Sequence, residues 1–411
     1  MLFFALIPCV AFSNVLVHAW DAAGHEITAT LAQIYLHESV LPVICDLLGI
    51  HISSHASTEE LRTKCHLASV ATWADRERGN MKWSSAMHYV NAVDDYPRLR
   101  CMYPGEGGWD GDKGINILDA TKNVTHILAE WSGAKEGHAG MGNRSISLPQ
   151  WSMKDDGDVL KRRDLSASGP LEQEAFRFLV HFLGDMHQPL HLTGRNRGGN
   201  DIKATFTGQA TNLHATWDAH IVNKLLGAVP HNYTRQFWSQ PGTALPPTSI
   251  IEAALKGSPY RSFIRKILWE GVDNRWRDEI QSWLDCPPPT GIWGNLVGTV
   301  QEVFSLFLTP QQITPRRYQR MGVDISPDGP VVCPYAWTKP VHDLNCKFVW
   351  PVELGFGKRS LQPMIELDTP SYFGALQEGM VIEKLITAGG LRLAGILNWL
   401  FAADGYARVS A

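Results

Sequence analysis

Two histidines are each followed four residues later by an aspartate: His181 with Asp185, and His214 with Asp218. Both pairs lie in stretches with helical hydrophobic periodicity, and residues four apart on a helix share a face. Each pair therefore presents an imidazole and a carboxylate side by side, the groups that Zn²⁺ takes as ligands. His191 follows just past Pro189 at the end of the first of these helices, Asp75 lies in TWADRER, and His88 lies in AMHYVN. One such pair alone is commonly a solvated surface feature. Two pairs, together with a histidine in a proline-bounded turn, predict helices that converge on metal. His37, His51, His55, His66, His138, His231 and His342 lack this spacing and read as surface residues.

A metal centre of this kind needs a core to hold it. The chain has 411 residues, 44% apolar and 19% charged, which is a globular composition. Its net charge is −4, and no long basic run is present. A sequence-independent clamp on duplex nucleic acid is therefore not indicated.

Residues 2–17 form a short apolar run that leads to Val17-His18-Ala19. This predicts a cleaved signal peptide over 1–19, although no Lys or Arg precedes the run. The run is too short for a comfortable membrane span. Removal of Cys9 with the signal leaves Cys45, Cys65, Cys101, Cys286, Cys333 and Cys346, an even number that suggests disulfides in an exported chain. Six cysteines allow fifteen pairings. Proximity favours Cys45 with Cys65 and Cys333 with Cys346, leaving Cys101 with Cys286. Sequons at Asn123, Asn143 and Asn232 agree with export.

The pattern along the chain is mostly helical. Helices are predicted over about 21–36, in HLASVATWADRER, and in NILDATKNVTHILAEW. Ser168 is expected to cap a helix that begins at Pro170 and runs to Pro189. GRNRGGNDIKATFTG reads as loop and strand. NLHATWDAHIVNKLL reads as a helix, SFIRKILWEGVDNRWRDEIQSWL as one long helix, and EKLITAGGLRLAGILNWLFA as a core helix despite Arg392 and Asn398. Residues 101–114 read as a loop and 133–158 as exposed, and 287–332 are rich in Pro and Gly. The expected fold is mainly α, with a small β-hairpin region, in one domain over 20–411.

The blocks WDAAGH, TWADRER, HYVN, HFLGDMHQPLH, GRNRGGND and NLHATWDAH occur in the order found in the S1/P1 nuclease family, which the chain resembles. CPYAWTKPVHDLNCK and AGGLRLAGILN resemble the C-terminal helices of that family. The resemblance covers roughly 20–285 and 331–402, and 139–167 and 287–330 read as insertions. It implies the helical fold shared by phospholipase C and P1 nuclease.

It also implies three zinc ions. Asp75, His88, His181 and Asp185 match the ligands of one. His191, His214 and Asp218 match those of a second, more exposed ion. His25 and Trp20 match those of a third, which Asp185 bridges to the first. Trp20 would contribute its α-amino nitrogen and carbonyl oxygen, so cleavage after Ala19 would create a ligand. An α-amino group has a reference pKa near 8, and zinc displaces its proton at modest cost.

The activity so implied is hydrolysis of single-stranded DNA and RNA to 5′-phosphate ends, and of 3′-nucleotides, through a zinc-activated hydroxide that attacks phosphorus. Arg78 matches an arginine that contacts the scissile phosphate, and Tyr89 matches an aromatic that stacks on a base. Asn91 stands where many relatives carry an acidic residue, so base preference is expected to differ. The fungal members' small disulfide loop is missing near 105–114, which leaves Asp110 and Asp112 without a matched role. The resemblance further implies a monomer without a stable protein partner or mature transmembrane segment, in the secretory pathway, secreted or lysosomal/vacuolar.

Two alternatives differ in residue pattern. Zinc-dependent phospholipase C shares the N-terminal tryptophan and the fold. In that family the first histidine lies farther from the tryptophan, the last two histidines lie closer together, and the final carboxylate is Glu. Here His25 is five residues from Trp20, His214 is twenty-three from His191, and the last carboxylate is Asp218. A non-catalytic zinc-binding protein would tolerate loss of a ligand, and none is missing.

Overall fold

The computed structural model describes residues 20–104, 107–112, 114–134, 165, 167–236, 245–287, 328–329, 331–354 and 364–402. The expected signal segment 1–19, the sequon at Asn143, His138, most of 133–158 and nearly all of 139–167 and 287–330 lie outside these residues. The fold is mainly helical, as expected, and one apolar cluster extends from Trp20 to Ala402.

Four helices build the frame: Ala22–Ile34, Ile117–Ser132, Pro170–Asp185 and Val381–Phe401. The first starts at Asp21, whose carboxylate accepts from Ala22 N–H at 2.7 Å. Ile117–Ser132 starts at Asn116, whose Oδ1 accepts from Leu118 and Asp119 N–H, and ends at Gly133 in the left-handed region. Pro170–Asp185 begins differently from the expectation. Its cap is Gly169, whose N–H donates to Glu172 Oε2 at 2.8 Å. Ser168 instead binds Asp46 through both its N–H and its hydroxyl.

Val381–Phe401 is buried along nearly its whole length. A Cβ on Gly390 would lie 2.8 Å from both Leu31 Cβ and Thr28 O, so the glycine lets this helix lie directly on Ala22–Ile34. Arg392 and Asn398, the polar residues singled out in its sequence, satisfy buried carbonyls. Asn398 donates to Tyr35 O at 3.0 Å, and Arg392 Nε donates to Trp283 O at 2.8 Å. No single described helix is long and apolar enough to cross a membrane.

The β region is larger than a hairpin. Strands β1 (Lys203–Phe206) and β2 (Gln209–Asn212) pair antiparallel, and β3 (Ile365–Glu366) adds to β1 in parallel.

Two expected helices are broken. HLASVATWADRER forms a short turn at Leu67–Ser69 and a helix at Trp73–Glu77. The break frees the Ala71 carbonyl, which accepts from His181 Nδ1 at 2.7 Å. The long helix expected over 262–284 divides into Arg261–Lys266, a π-type stretch Ile267–Arg275, and Ile280–Leu284. Trp276 folds back over Gly271, where a Cβ would meet its ring at 2.2 Å.

The disulfides are Cys45–Cys65, Cys101–Cys346 and Cys286–Cys333. The first agrees with expectation and the other two correct it. Cys333 and Cys346 stand at opposite ends of the Pro334–Leu344 helix. A helix rises about 1.5 Å per residue, which holds them far beyond disulfide reach.

Three of the histidines read as surface residues are not exposed. His342 is buried, with Nε2 3.0 Å from Asp95 Oδ2, and His66 and His37 are half-buried. His51, His55 and His231 are exposed as expected. Both described sequons are accessible, with Asn232 exposed and Asn123 partly so.

Candidate metal centre

Eight side chains from seven segments converge. His25 comes from Ala22–Ile34, Asp75 from Trp73–Glu77, and His181 and Asp185 from Pro170–Asp185. His88 ends the turn Lys82–His88, and His191 sits in the proline-started turn Pro189–Leu192. His214 lies in the helical turn Leu213–Ala215. Asp218 lies in the π turn Thr216–His220 rather than in regular helix, and Ile221 N–H closes that turn onto Thr216 O. Such turns are frequent at functional sites. The wider turn still brings Asp218 Oδ2 to 3.1 Å from His214 Nε2.

The ligand-type atoms form three groups: His25, His181 and Asp185; Asp75, His88 and His181; and His191, His214 and Asp218. Within each group they lie within 4.8 Å of one another. The first two share His181, and Asp185 also reaches His88 Nδ1 at 2.9 Å. Asp185 is thereby common to the neighbourhoods of two candidate ions. All eight residues are buried.

The rings are oriented from behind. His181 Nδ1 faces Ala71 O at 2.7 Å, His191 Nδ1 faces His88 O at 2.6 Å, and His214 Nδ1 faces Gly198 O at 2.6 Å. A carbonyl fixes the proton on Nδ1 and turns the Nε2 lone pair into the site. Gln188, absent from the sequence expectations, donates from Nε2 to Asp218 Oδ1 at 2.5 Å and so fixes that carboxylate. Gly184 is also necessary, because a Cβ there would stand 2.5 Å from His25 Nδ1.

The donor set fits a cation. Both ring nitrogens of His25, Nε2 of His88 and His191, and one oxygen each of Asp75 and Asp185 are buried without a hydrogen-bond partner. Buried polar atoms are seldom left so unless an ion or water serves them. Electrostatics point the same way. Burial opposes a charge on His181, yet Asp185 and Asp75 outweigh it and push its pKa up to about 9. Asp185 is held well below the usual carboxylate range: burial raises it, but His181 and the hydrogen bonds of the surrounding histidines prevail. Burial pulls His191 down to about 4, which leaves it a neutral donor.

Trp20 is fully buried beside this centre, and the next residue, Asp21, donates its N–H to Asp218 O at 3.0 Å. Arg78 is partly exposed, with Nη2 3.4 Å from Ser85 O, and its charge opposes protonation of His214. Tyr89 follows His88 and is 37% exposed, enough to offer a ring face. Asn91 lines a cavity of about 390 Å³ with Asp94, Asp95, Tyr96, Asp110 and Arg195. Val90 N–H donates to His191 O at 2.9 Å, so the segments leaving His88 and His191 are joined before they part as the walls of this cavity.

One further histidine belongs to the frame. His187 is buried, with Nδ1 2.6 Å from Leu183 O and Nε2 2.5 Å from Arg392 Nη1. Burial and the adjacent guanidinium hold its pKa well below the usual value, so it accepts from Arg392 as a neutral ring. No spacing signal distinguished it in the sequence.

The chain is 33% identical to Nuclease P1 of Penicillium citrinum over 210 residues, which cover 51% of this chain and 60% of that protein. It is 28% identical to Nuclease S1 of Aspergillus oryzae over 214 residues, 52% of this chain and 58% of that protein. It is 25% identical to Endonuclease 2 of Arabidopsis thaliana over 278 residues, 67% and 71% of the two chains. The chain thus spans about 60% of the length of the fungal relatives it matches. The model of the S1/P1 Nuclease family matches residues 20–244, beginning at Trp20. The chain belongs to the S1/P1 nuclease family.

Proposed function

We propose that this protein is a zinc-dependent endonuclease of the secretory pathway that cleaves single-stranded DNA and RNA and removes phosphate from 3′-nucleotides. The observation that carries the reading is the set of three buried His/Asp groups, two of them sharing His181, each with its donor atoms within 4.8 Å. Three zincs would be held by Asp75, His88, His181 and Asp185; by His191, His214 and Asp218; and by His25, Asp185 and the amino and carbonyl groups of Trp20. Zinc in such a site supplies Lewis acidity that activates water and stabilises charge on phosphorus.

The chain's own residues do the rest. Asp185 keeps two cations close by its charge. The backbone carbonyls behind His181, His191 and His214 keep those rings fixed during turnover. Arg78 places a guanidinium at the edge of the centre, where it would stabilise negative charge growing on the phosphoryl oxygens. Tyr89 would stack on a base and Asn91 would meet its edge. Stacking requires an unpaired nucleotide, which accounts for a single-strand preference.

The family match that starts at Trp20 supports a mature N-terminus there, and with it the amine ligand. The disulfides and the accessible sequons support export, to the exterior or to a lysosome or vacuole. The apolar cluster running from Trp20 to Ala402 supports one domain over 20–411, acting as a monomer. Parallel digestion of single-stranded DNA, RNA, 3′-AMP and phosphatidylcholine, with and without chelator, tests the reading. Chelator-sensitive cleavage of the first three is expected. Hydrolysis of phosphatidylcholine alone would transfer the site to a lipid phosphodiesterase.

A further inference from the structure

Next to the wall of the cavity at Asn91 lies a cluster of aromatic rings. Residues 107–110 are zipped to 91–93: Asp110 N–H donates to Asn91 O at 2.8 Å, Val93 N–H donates to Gly108 O at 3.0 Å, and Ala92 bridges Trp109. Trp109 is half-buried and stands edge-on to Tyr335, with ring centroids 6.4 Å apart. Tyr335 stacks on buried Tyr103 at 5.7 Å with planes 8° apart, and its hydroxyl donates to Tyr103 O at 2.9 Å. The ring is thus fixed from below, yet Tyr335 remains 37% exposed.

Tyr335 opens the Pro334–Leu344 helix, and its first-turn N–H groups at Tyr335 and Ala336 donate to Asp328. Lys339 lies four residues on and shares its face. Lys339 pairs with Asp343, and both side chains are partly exposed, at 42% and 34%. A solvated pair of this kind is weak and yields readily to a phosphate.

We propose that Trp109 and Tyr335 form a stacking platform for an unpaired base flanking the scissile linkage, with Lys339 receiving a phosphate of the same strand. This rests on the nuclease reading. Three lines converge on that occupant. The platform adjoins the cavity through its backbone: Trp109 bridges Ala92 and precedes Asp110, and Ala92 and Asp110 both line the cavity. The cavity carries the exposed carboxylates of Asp94 and Asp110, which repel phosphate and favour a base edge there, while Asp95 is bound by Thr193 and His342 and Arg195 is buried against Tyr96 and Trp350. Lys339 is the first cation of the platform's own helix. A strand with its bases against the rings and the cavity and its phosphates outward fits these groups. Every base has a face to stack, so the platform is tolerant of sequence.

The test compares a dinucleotide with an octathymidylate as substrates for zinc-loaded wild-type protein, Tyr335→Ala, Tyr335→Phe and Lys339→Gln. For Tyr335→Ala, KM for the octamer should rise about five- to a hundredfold, the value of one base stack. Dinucleotide kinetics should stay as in wild type, even though loss of the Tyr103 contacts lowers the melting temperature. Tyr335→Phe keeps the ring and should restore octamer KM, and Lys339→Gln should raise it with a shallower salt dependence. An unchanged octamer KM in Tyr335→Ala overturns the proposal, as does an equal loss on both substrates. If the wild type cleaves neither, the nuclease reading fails separately. Fluorescence anisotropy of a labelled phosphorothioate octamer then still decides the platform: weaker binding by Tyr335→Ala upholds it, and equal binding rejects it.

Discussion

His25 Nε2 and Asp185 Oδ1 stand 3.2 Å apart in a fully buried setting, and neither atom makes a hydrogen bond. The other oxygen of Asp185 is 2.9 Å from His88 Nδ1. This carboxylate therefore serves two neighbourhoods. Asp185→Asn keeps the shape and removes the charge that, on the proposed reading, would lie between two cations. We predict loss of at least one zinc and a fall in turnover of roughly a hundredfold or more, since even outer partners of ligands cost 10–100-fold. Metal analysis and kcat of the purified variant check this, and full zinc content with normal turnover would refute the bridging role.

Gln188 acts on the metal centre without touching it. Its amide holds Asp218 Oδ1 at 2.5 Å. Gln188→Leu should weaken binding at the His191/His214/Asp218 site by about 10–100-fold and leave the other groups unaffected. Competition with a zinc chelator of known affinity measures this.

Arg78 is predicted to act in the transition state and not in metal binding. Arg78→Ala should cost about 2.7–4 kcal/mol in kcat on single-stranded DNA, and Arg78→Lys should recover only part, since an ammonium lacks the fork. Zinc content and melting temperature should match wild type. A fully active Arg78→Ala enzyme would make Arg78 a surface residue.

Tyr89→Ala should weaken binding of single-stranded substrate by about 1–3 kcal/mol. Hydrolysis of a phosphodiester without a base should change little. Equal losses on both substrates would assign Tyr89 a structural role.

Away from the metal, His66 predicts a pH dependence of stability. Its Nε2 meets Ala254 O at 2.8 Å, and its Nδ1 accepts from Ala68 N–H at 3.2 Å. Burial lowers its pKa below 6.5, opposed by the Ala254 carbonyl and assisted by Arg62. The folded state therefore binds fewer protons than the unfolded state in the window just below pH 6.5. This contribution is complete above about pH 6.5 and is lost as pH falls through that window. Urea midpoints of wild type and His66→Gln between pH 5 and 8 should show the smaller acid loss in the variant, and parallel curves would contradict the assignment.

The residues that the fold gathers as candidate metal ligands were legible because helical spacing and short motifs are local properties. His181 and Asp185 announce a shared face whatever surrounds them. What the sequence concealed depends on partners distant in the chain. Gln188 and Gly184 matter through Asp218 and His25. His342 looked like a surface residue until Asp95 and Tyr103 enclosed it. The break at Val70–Thr72 serves His181, more than a hundred residues away. Disulfide proximity misled because the helix Pro334–Leu344 separates two cysteines that are close in sequence.

The central claim is that these His/Asp groups form one three-zinc centre that hydrolyses nucleic acid. Elemental analysis of the purified mature protein, made on the same sample as a single-stranded DNA digestion with stepwise chelation, tests it most directly. The account predicts three zincs per chain and activity that falls as they are removed. Full activity in a sample holding no zinc, or unaffected by their removal, would contradict it.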